Sequence, residues 1–347
     1  MSGPASLAVP NISRELTQAA RRLLDGGLVA FPTETVYGLG ADAENPQAIA
    51  SMYAAKGRPV NHPVIVHVAP EADLSYWAAS VPAQARALIQ AFWPGPLTLI
   101  LPRAAHIAST VSGGQDSIGL RCPSHPVAQA LLREFARGKP NGQGGVAAPS
   151  ANKFGQVSPT HAAHVRAEFP ELGFDRLLVL EGGPSEVGIE STIVDASRLD
   201  QGVGVMLLRP GHISAAQIAE VLGVAPGRPD LDAPRVSGSL KAHYAPRTPL
   251  QVLPLKQLLD VASQGALDRS PGRTAALVFS PDQLGDMPGV DWLPCASEPV
   301  SYARDLYALL RRLDGQGYDR ILMEQPPQDA DWQAINDRIG RASAAFS

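Results

Sequence analysis

Cations and hydroxyl side chains recur beside short apolar runs in this chain, where they could together bind one anionic ligand. Lys56 and Arg58 flank Gly57, and Pro59 follows them. In a continuing helix these two cations would point about 200° apart. Gly57 permits a left-handed helix end and Pro59 prevents continuation, so both cations can face one ligand. A cation at a helix C-terminus also has an ordinary explanation, which is its attraction to the helix dipole.

Ser150 and Asn152 form a second candidate pair. Pro149 favours an extended conformation at Ala148, and in an extended chain residues two apart share a face. The two side chains offer neutral donors and acceptors, and no base stands next to the serine in the sequence. They therefore suit ligand binding better than nucleophilic attack. An isolated Ser/Asn turn is the alternative interpretation.

Arginines end two further apolar runs. Arg121 closes residues 117–121, and Arg209 stands at the end of another run, just before a Pro-Gly turn. An arginine is costly to bury without a partner, so its recurrence at strand ends favours a shared anionic ligand such as a carboxylate or a phosphate.

Two segments rich in glycine and hydroxyl groups, residues 31–40 and 188–192, stand beside apolar runs in the same way. Segment 31–40 follows a predicted strand directly and contains Thr35, and α/β folds place their sites at strand ends. Its glycines would let the backbone approach a ligand closely. A plain strand-to-loop turn would have a similar composition.

Several common catalytic motifs are absent from the sequence. It contains no phosphate-binding P-loop, no G-x-S-x-G, no H-E-x-x-H and no C-x-x-C, and Ala43 replaces the third glycine of a dinucleotide fingerprint. His161 and His164 are three apart with no third ligand nearby, which favours surface histidines. We therefore expect no protein metal site.

Short apolar runs alternate with helical patterns over the first two thirds of the chain, which favours an α/β domain on one large twisted sheet. An α+β fold with segregated elements is the alternative. The predicted helices cover residues 13–25, 46–56, 82–92, 125–137, 159–168 and 214–222. The predicted strands cover residues 28–32, 64–68, 97–101, 118–120, 146–148, 177–180, 192–194 and 205–208.

A proline-rich stretch then divides the chain. The sequence predicts a first domain over residues 10–224, a linker over 225–249 and a small α/β domain over 250–347. In the last of these, three predicted strands alternate with three predicted helices, which is typical of a βαβ, Rossmann-like unit.

Composition narrows the class of protein. The 347 residues suit about two domains of ~150 residues each. No run of about 18–20 apolar residues and no basic leader occurs, and the two cysteines cannot build a disulfide framework. We therefore expect a cytoplasmic protein with no membrane segment. The net charge of −4 argues against binding to nucleic acid by bulk positive charge, although residues 51–153 hold nine Lys/Arg against four Asp/Glu.

The order of these segments resembles that of the Sua5/YrdC/YwlC family. The matching motifs are F-P-T-E-T-V-Y-G-L-G, K-G-R-P, P-V-I-V-H, W-P-G-P-L-T, P-S-A-N, E-S-T-I-V-D, L-R-P-G and H-Y-A-P. The resemblance covers about residues 13–222, and the H-Y-A-P linker with its trailing domain is similar to the long, two-domain Sua5 form. It implies a YrdC-like domain on a large twisted mixed sheet, followed by a linker that folds over the active site.

The resemblance also implies an activity and its residues. Family members are threonylcarbamoyl-AMP synthases, which make L-threonylcarbamoyladenylate and pyrophosphate from L-threonine, bicarbonate or CO2, and ATP in the first step of tRNA t6A modification. The implied catalytic signature is Lys56, Arg58, Ser150 and Asn152. The implied L-threonine contacts are Thr35, His67, Arg121, Ala148 and Ser191. The implied ATP contacts are Arg58, His62, Ser117, Ser150, Ser158, Arg209 and Tyr244.

Two departures from the family pattern stand out. The family usually has asparagine directly before the proline of P-V-I-V-H, where this chain has Asn61-His62, so either residue could supply that nucleotide contact. Residues 138–145 form a long polar loop that we expect to be an exposed, non-catalytic insertion. Magnesium is expected with ATP, with phosphate oxygens and water as its ligands because no carboxylate cluster is found.

The expected partners are ATP, L-threonine, bicarbonate and the downstream machinery that transfers the threonylcarbamoyl group to tRNA. No membrane and no strong direct nucleic-acid binding are expected. A double-stranded RNA-binding or regulatory module without adenylate synthesis is the alternative. A carbamoyl-transfer role like that of hydrogenase-maturation proteins is disfavoured, because the acylphosphatase and zinc-finger segments of those proteins are missing.

Overall fold

The computed structural model describes residues 9–267 and 272–347, which form two sheets with their helices. The first sheet has nine strands: β1 (Leu28–Phe31), β2 (Gly38–Asp42), β3 (Ile65–Val68), β4 (Leu97–Pro102), β5 (Ser117–Arg121), β6 (Gly145–Ala147), β7 (Leu177–Val179), β8 (Thr192–Asp195) and β9 (Met206–Arg209). Its helices are α1 (Val9–Leu24), α2 (Pro46–Lys56), α3 (Leu74–Trp77), α4 (Ala83–Phe92), α5 (Pro126–Gly138), α6 (Ala162–Glu168), α7 (Gly173–Arg176) and α8 (Ala215–Leu222).

Strand pairing in the first sheet is mixed. The spatial order is β7-β1-β2-β6-β3-β5-β4-β8-β9. The pairs β1–β7, β3–β5 and β4–β8 are parallel, whereas β1–β2, β2–β6, β3–β6, β4–β5 and β8–β9 are antiparallel. The prediction of an α/β domain on one large mixed sheet is therefore confirmed, and the alternative of segregated helices and strands is wrong.

Helix α2 shows how local sequence delivers a site residue. Asn45 accepts hydrogen bonds from the backbone N–H groups of residues 47 and 48, and Pro46 occupies the first turn. At the other end Gly57 adopts φ 61°, in the left-handed region. The helix ends there as predicted, so Arg58 leaves the helix axis and is free to turn toward the sheet.

The strand β2 was not predicted, because its two glycines resemble a turn. Gly40 lies in the middle of the sheet, where a Cβ atom would come within 2.8 Å of Val146 Cγ1 and 2.9 Å of Phe31 Cε1. Glycine is used here because the neighbouring side chains leave no room for another residue, and not because a turn needs it.

The second sheet is all parallel, in the order β10-β13-β11-β12. Its elements are β10 (Leu250–Leu253), α9 (Leu255–Leu267), β11 (Thr274–Val278), β12 (Val290–Pro294), α10 (Pro299–Asp314), β13 (Arg320–Glu324) and α11 (Gln333–Ser343). This confirms the small Rossmann-like α/β unit. The edge strand β12 was missed because most of its residues are partly or fully exposed and give no apolar run.

The two sheets share a hydrophobic cluster. Val36, Val157 and Ile189, all on loops of the first sheet, pack with Tyr302 and Leu306 of α10. The second domain therefore lies against the loops that leave the strand ends of the first. Among the helices of the described residues, none combines the length and the apolar character needed to cross a membrane.

Candidate active site

Eight of the predicted site residues line one buried cavity of about 40 Å³. They are Thr35, His67, Arg121, Ala148, Ser150, Ser191, Arg209 and Tyr244. They come from the loop before β2, from β3, from the ends of β5 and β9, from the loop after β6, from the segment before β8 and from the linker. Residues spread over about two hundred positions of the sequence therefore meet at one place.

Arg121 lies in the cavity with a carboxylate partner. Its Nη2 atom is 2.7 Å from Oε1 of Glu34, and both side chains are only 5% exposed. Glu34 also accepts a hydrogen bond from the backbone N–H of Ser124 at 3.2 Å. The arginine is thus oriented by a buried acid before any ligand arrives. Glu34 belongs to the F-P-T-E-T-V-Y-G-L-G motif, but the sequence indicated no role for it. Its partner Arg121 lies 87 residues further along the chain, and such a pairing cannot be predicted from sequence alone.

His67 lines the cavity, and its burial favours the neutral imidazole. Burial, reinforced by the charge of Arg121, lowers its pKa from 6.5 to about 3. Its Nδ1 atom lies 3.3 Å from the carbonyl oxygen of Ile65, and its ring meets Phe31 edge-on. Because the His67 ring is neutral, Arg121 carries the positive charge on this side of the cavity.

Arg209 and Ser191 meet on the other side of the cavity. Arg209 donates from Nε and Nη2 to the carbonyl oxygen of Ser191, at 3.1 and 2.9 Å. The Ser191 hydroxyl is 2.8 Å from the Thr98 hydroxyl. Burial lowers the pKa of Arg209. These groups form a preorganised cluster of donors with one fixed positive charge.

Arg58 and His62 do not line the cavity, and they share Phe154 as an aromatic neighbour. The Arg58 guanidinium lies 5.7 Å from the Phe154 ring centroid, and the His62 ring meets the same ring edge-on at 5.3 Å. Burial, followed by the charge of Arg58, lowers the pKa of His62. His62 is half-buried, whereas Asn61 is exposed. Ser117 lines a small adjoining cleft.

Lys56 and Asn152 hold the loop that carries Ser150 and do not line the cavity itself. The Lys56 ammonium donates to the carbonyl oxygens of Ser150 and Asn152. Burial, and then the charge of Arg58, holds its pKa well below the usual range. Asn152 donates to the carbonyl oxygens of residues 153 and 156 at 2.7 and 2.9 Å. The predicted catalytic role of these two residues stays a prediction.

Ser158 is also set back from the cavity. Its hydroxyl donates to the Glu190 carboxylate at 2.6 Å. Glu190 lines the cavity. Burial favours a raised pKa for this carboxyl, but the charges of Arg338 and Arg209 outweigh it and lower the pKa. Glu190 stands in the E-S-T-I-V-D motif, but its position in the sequence alone indicated no role.

Three linker residues, Ser237, His243 and Tyr244, line the cavity. Arg209 donates to the Ser237 carbonyl at 2.8 Å, and Arg58 lies 3.4 Å from the Ser237 hydroxyl. Tyr244 adopts φ 62° and stacks on Tyr307 of the second domain, with ring centroids 5.8 Å apart. The remaining 40 Å³ is only a few times the ~10–15 Å³ that one water molecule needs on the same measure. This space is smaller than an amino acid and a nucleotide together, so the linker residues that line it would have to shift for both to bind.

Ser237 was missed by the sequence analysis. It has no motif of its own, and its position over the cavity follows from the path of the linker. Among the described residues no group of three His, Cys, Asp or Glu side chains could hold a metal ion.

The fold is that of a two-domain α/β protein. Arginines and hydroxyls at the strand ends of its mixed sheet meet beside the linker, and a parallel α/β unit packs against the adjacent loops. Comparison with known families gives the class a name. The Sua5/yciO/yrdC family model, described as "Telomere recombination", matches residues 21–211. The model described as "Threonylcarbamoyl-AMP synthase, C-terminal domain" matches residues 213–344. The chain belongs to the Sua5/yciO/yrdC family.

Relatives match over nearly the whole chain. The threonylcarbamoyl-AMP synthase of Bacillus subtilis is 36% identical, covering 95% of this chain and 93% of the relative. That of Pyrococcus abyssi is 34% identical, covering 94% and 93%. The crystal structure of P. abyssi Sua5 complexed with L-threonine superposes with a TM-score of 0.80 at 32% identity, covering 95% of this chain and 94% of that chain.

Proposed function

We propose that this protein is an L-threonylcarbamoyladenylate synthase, a nucleotidyltransferase that joins L-threonine, bicarbonate or CO2, and ATP and releases pyrophosphate. The observation that carries this proposal is the convergence of Arg121, His67, Ser191 and Arg209 on one cavity. Relatives that share both domains bear the name of this enzyme.

The chemistry requires positioning more than an enzymic nucleophile. The unprotonated amine of threonine adds to CO2 and loses one proton, which gives a carbamate. A carbamate oxygen then attacks the α-phosphorus of ATP, and the bond from that phosphorus to the bridging oxygen of the β-phosphate breaks. The electron pair leaves with pyrophosphate. Fixed cations and hydrogen-bond donors can stabilise the charge that develops on the phosphate oxygens.

We assign the threonine end to the Arg121 side of the cavity. An arginine presents two parallel N–H donors that match a carboxylate, and Glu34 fixes its orientation. Neutral His67 lies beside it without adding a second positive charge. The hydroxyls of Thr35 and Ser191 and the backbone at Ala148 complete this set. A relative of known structure binds L-threonine.

We assign the nucleotide to the Arg58 and Arg209 side. Each of these two cations also bonds linker residue Ser237, so a shift of the linker would free those donors for phosphate oxygens. Ser117 lines the adjoining cleft, and His62 shares the Phe154 ring with Arg58. Ser150 and Tyr244 line the cavity. Ser158 does not line it, but its hydroxyl donates to Glu190, which does.

We propose that magnesium accompanies ATP and neutralises phosphate charge. The two acids nearest the cavity, Glu34 and Glu190, are paired with Arg121 and Arg338. Phosphate oxygens and water are therefore its proposed ligands. The adenylate would pass to the machinery that transfers threonylcarbamoyl to tRNA in the cytoplasm, with bicarbonate as the carbon source.

An omission assay tests the proposed function. The purified chain is incubated with ATP, magnesium, L-threonine and bicarbonate, and pyrophosphate release is followed while each component is left out in turn. Release that needs both threonine and bicarbonate is expected. Release that continues without threonine would contradict the proposal, and salt-sensitive RNA binding without any release would favour the RNA-binding alternative.

A further inference from the structure

Arg338, on α11 of the second domain, reaches into the first domain and has no exposed side-chain surface. Its Nε donates to the Glu190 carboxylate at 2.7 Å. Its Nη2 donates to the carbonyl oxygens of Glu190 and Pro210, at 3.3 and 3.0 Å. Glu190 directly precedes Ser191, and Pro210 directly follows Arg209. One guanidinium therefore connects the backbone beside two proposed substrate contacts.

The Glu190 carboxylate is held from both domains. It accepts from Ser158 at 2.6 Å and from Tyr307 of α10 at 3.0 Å, besides Arg338. Without Arg338, a charged carboxylate would remain buried with neutral hydroxyl donors and the more distant Arg209. Breaking a buried ion pair from one side is far more disruptive than breaking an exposed one.

The backbone of the same segment lies directly against α10. A Cβ atom at Gly188 would come within 2.3 Å of the Cα atom of Arg304. Gly188 has φ 79°, in the left-handed region that favours glycine. Residues 188–191 are thus packed by α10 and hydrogen-bonded by α11, so the second domain fixes their position.

We propose that Arg338 is a positioning residue for adenylate formation, which sets Ser191 against Arg209 through Glu190 and Pro210. The inference rests on the proposed function for its chemical meaning. Arg338 itself does not line the cavity. A mutation far from the reacting atoms that misplaces a substrate contact by about 1 Å can lower the rate about 100-fold. A residue that does not line the cavity can therefore affect the rate strongly.

The test compares full-length Arg338→Met with Arg320→Met, which changes a partly exposed arginine in the same domain. Arg320 bonds Thr274 and Val261, both within that domain. Threonine affinity by calorimetry, KM for threonine, kcat and melting temperature are measured for each. Arg338→Met is expected to weaken threonine binding and raise its KM at least fivefold, with kcat lowered at least tenfold. Arg320→Met is expected to stay within twofold of the wild type in threonine affinity, KM for threonine and kcat.

A merely structural role gives a different pattern. A smaller folded fraction lowers the apparent kcat and leaves KM and threonine affinity unchanged, and that result for Arg338→Met would overturn the proposal. If Arg338→Met does not fold, Arg338→Lys decides. A lysine cannot bridge the carboxylate and both carbonyls in the same geometry, so a threefold weaker threonine affinity is expected, and wild-type affinity would overturn the proposal.

The calorimetric measurement separates this inference from the proposed function. If the wild type releases no threonine-dependent pyrophosphate, the proposed function fails, yet the effect of Arg338 on threonine binding is still measured. If the wild type is active and Arg338→Met binds threonine normally, only the inference about Arg338 fails.

Discussion

Arg209 and Ser191 are joined by three hydrogen bonds, two to the Ser191 carbonyl and one at 3.2 Å to its hydroxyl. The proposed phosphate contact and the proposed threonine contact are therefore parts of one rigid cluster. Threonine would contact Ser191 and ATP would contact Arg209, and these two residues are bonded to each other. We therefore expect the binding of one substrate to change the affinity for the other.

Arg58→Ala should abolish most pyrophosphate release while the protein stays folded. Arg58 is a buried cation bonded to Ser237 of the linker, and a preorganised charge of this kind contributes about 100-fold or more to rate. Steady-state pyrophosphate release measures the effect. Exposed Arg86 supplies the control, because Arg86→Ala should keep wild-type turnover. Near-normal turnover in Arg58→Ala would mean that this cation has a structural role.

Arg121→Ala should raise KM for threonine much more than KM for ATP. The substitution removes the cation that we propose binds the carboxylate of threonine. It also leaves Glu34 buried without its cation, which costs about 3–5 kcal/mol of stability. The double variant Arg121→Ala/Glu34→Gln removes that unpaired charge and separates stability from binding. Denaturation and initial rates are measured for both. A larger effect on ATP than on threonine would show that the two pockets are exchanged.

Gly238→Ala should prevent the linker from closing as it does here. Gly238 has φ 78°, and a Cβ atom there would lie 2.0 Å from the Tyr244 hydroxyl. An open linker exposes the mixed anhydride to water, so we expect less intact adenylate for each pyrophosphate released. The ratio of the two products, determined chromatographically, measures this. Gly227→Ala in the same linker has room for its methyl group and should behave as the wild type; an unchanged ratio in both would refute the closure role.

Lowering the pH should destabilise the wild type more than His67→Gln. The pKa of His67 is about 3 in the folded protein and 6.5 in the unfolded chain. Between pH 6.5 and pH 3 the unfolded chain therefore binds a proton at His67, whereas the folded protein does not. This contribution to stability is complete above pH 6.5 and is lost as the pH falls toward 3. Between pH 7 and pH 5 the loss is about 2 kcal/mol. Urea unfolding of both proteins at the two pH values measures it; equal losses would contradict a neutral buried His67.

Much of the fold could be predicted because its elements carry strong local signals. Helix α2 has an asparagine cap, a proline in its first turn and a glycine end, and the structure has it at the predicted residues 46–56. Apolar runs likewise predicted most strands of both sheets. The strands β2 and β12 were missed because their signals depend on neighbours, namely the close packing around Gly40 and the exposed edge position of β12.

Gly40→Ala should therefore destabilise the fold, although glycine is a poor strand former. The added methyl group meets Val146 and Phe31 inside the sheet, and overpacking of this kind costs about 1–3 kcal/mol. Gly204→Ala, with nothing within 4 Å of its Cβ position, is the control. Urea denaturation gives both values. A stability equal to that of the control would contradict the packing reason given for β2.

The candidate site was predictable in composition but not in its contacts. The sequence patterns indicated Arg121, Ser191 and Arg209, and the structure brings these residues together. The partners that orient them could not be found from sequence, because each pairing joins segments far apart. Glu34 reaches Arg121, and Arg338 reaches Glu190 across 148 positions and a domain boundary.

The most direct measurement follows the carbon atom of bicarbonate. The wild-type chain is incubated with labelled bicarbonate, ATP, magnesium and L-threonine, and the nucleotide fraction is isolated. The account predicts label in an adenylate that also contains threonine, and no label when threonine is omitted. Pyrophosphate release with no label in any adenylate would show that the cavity does not join these three substrates.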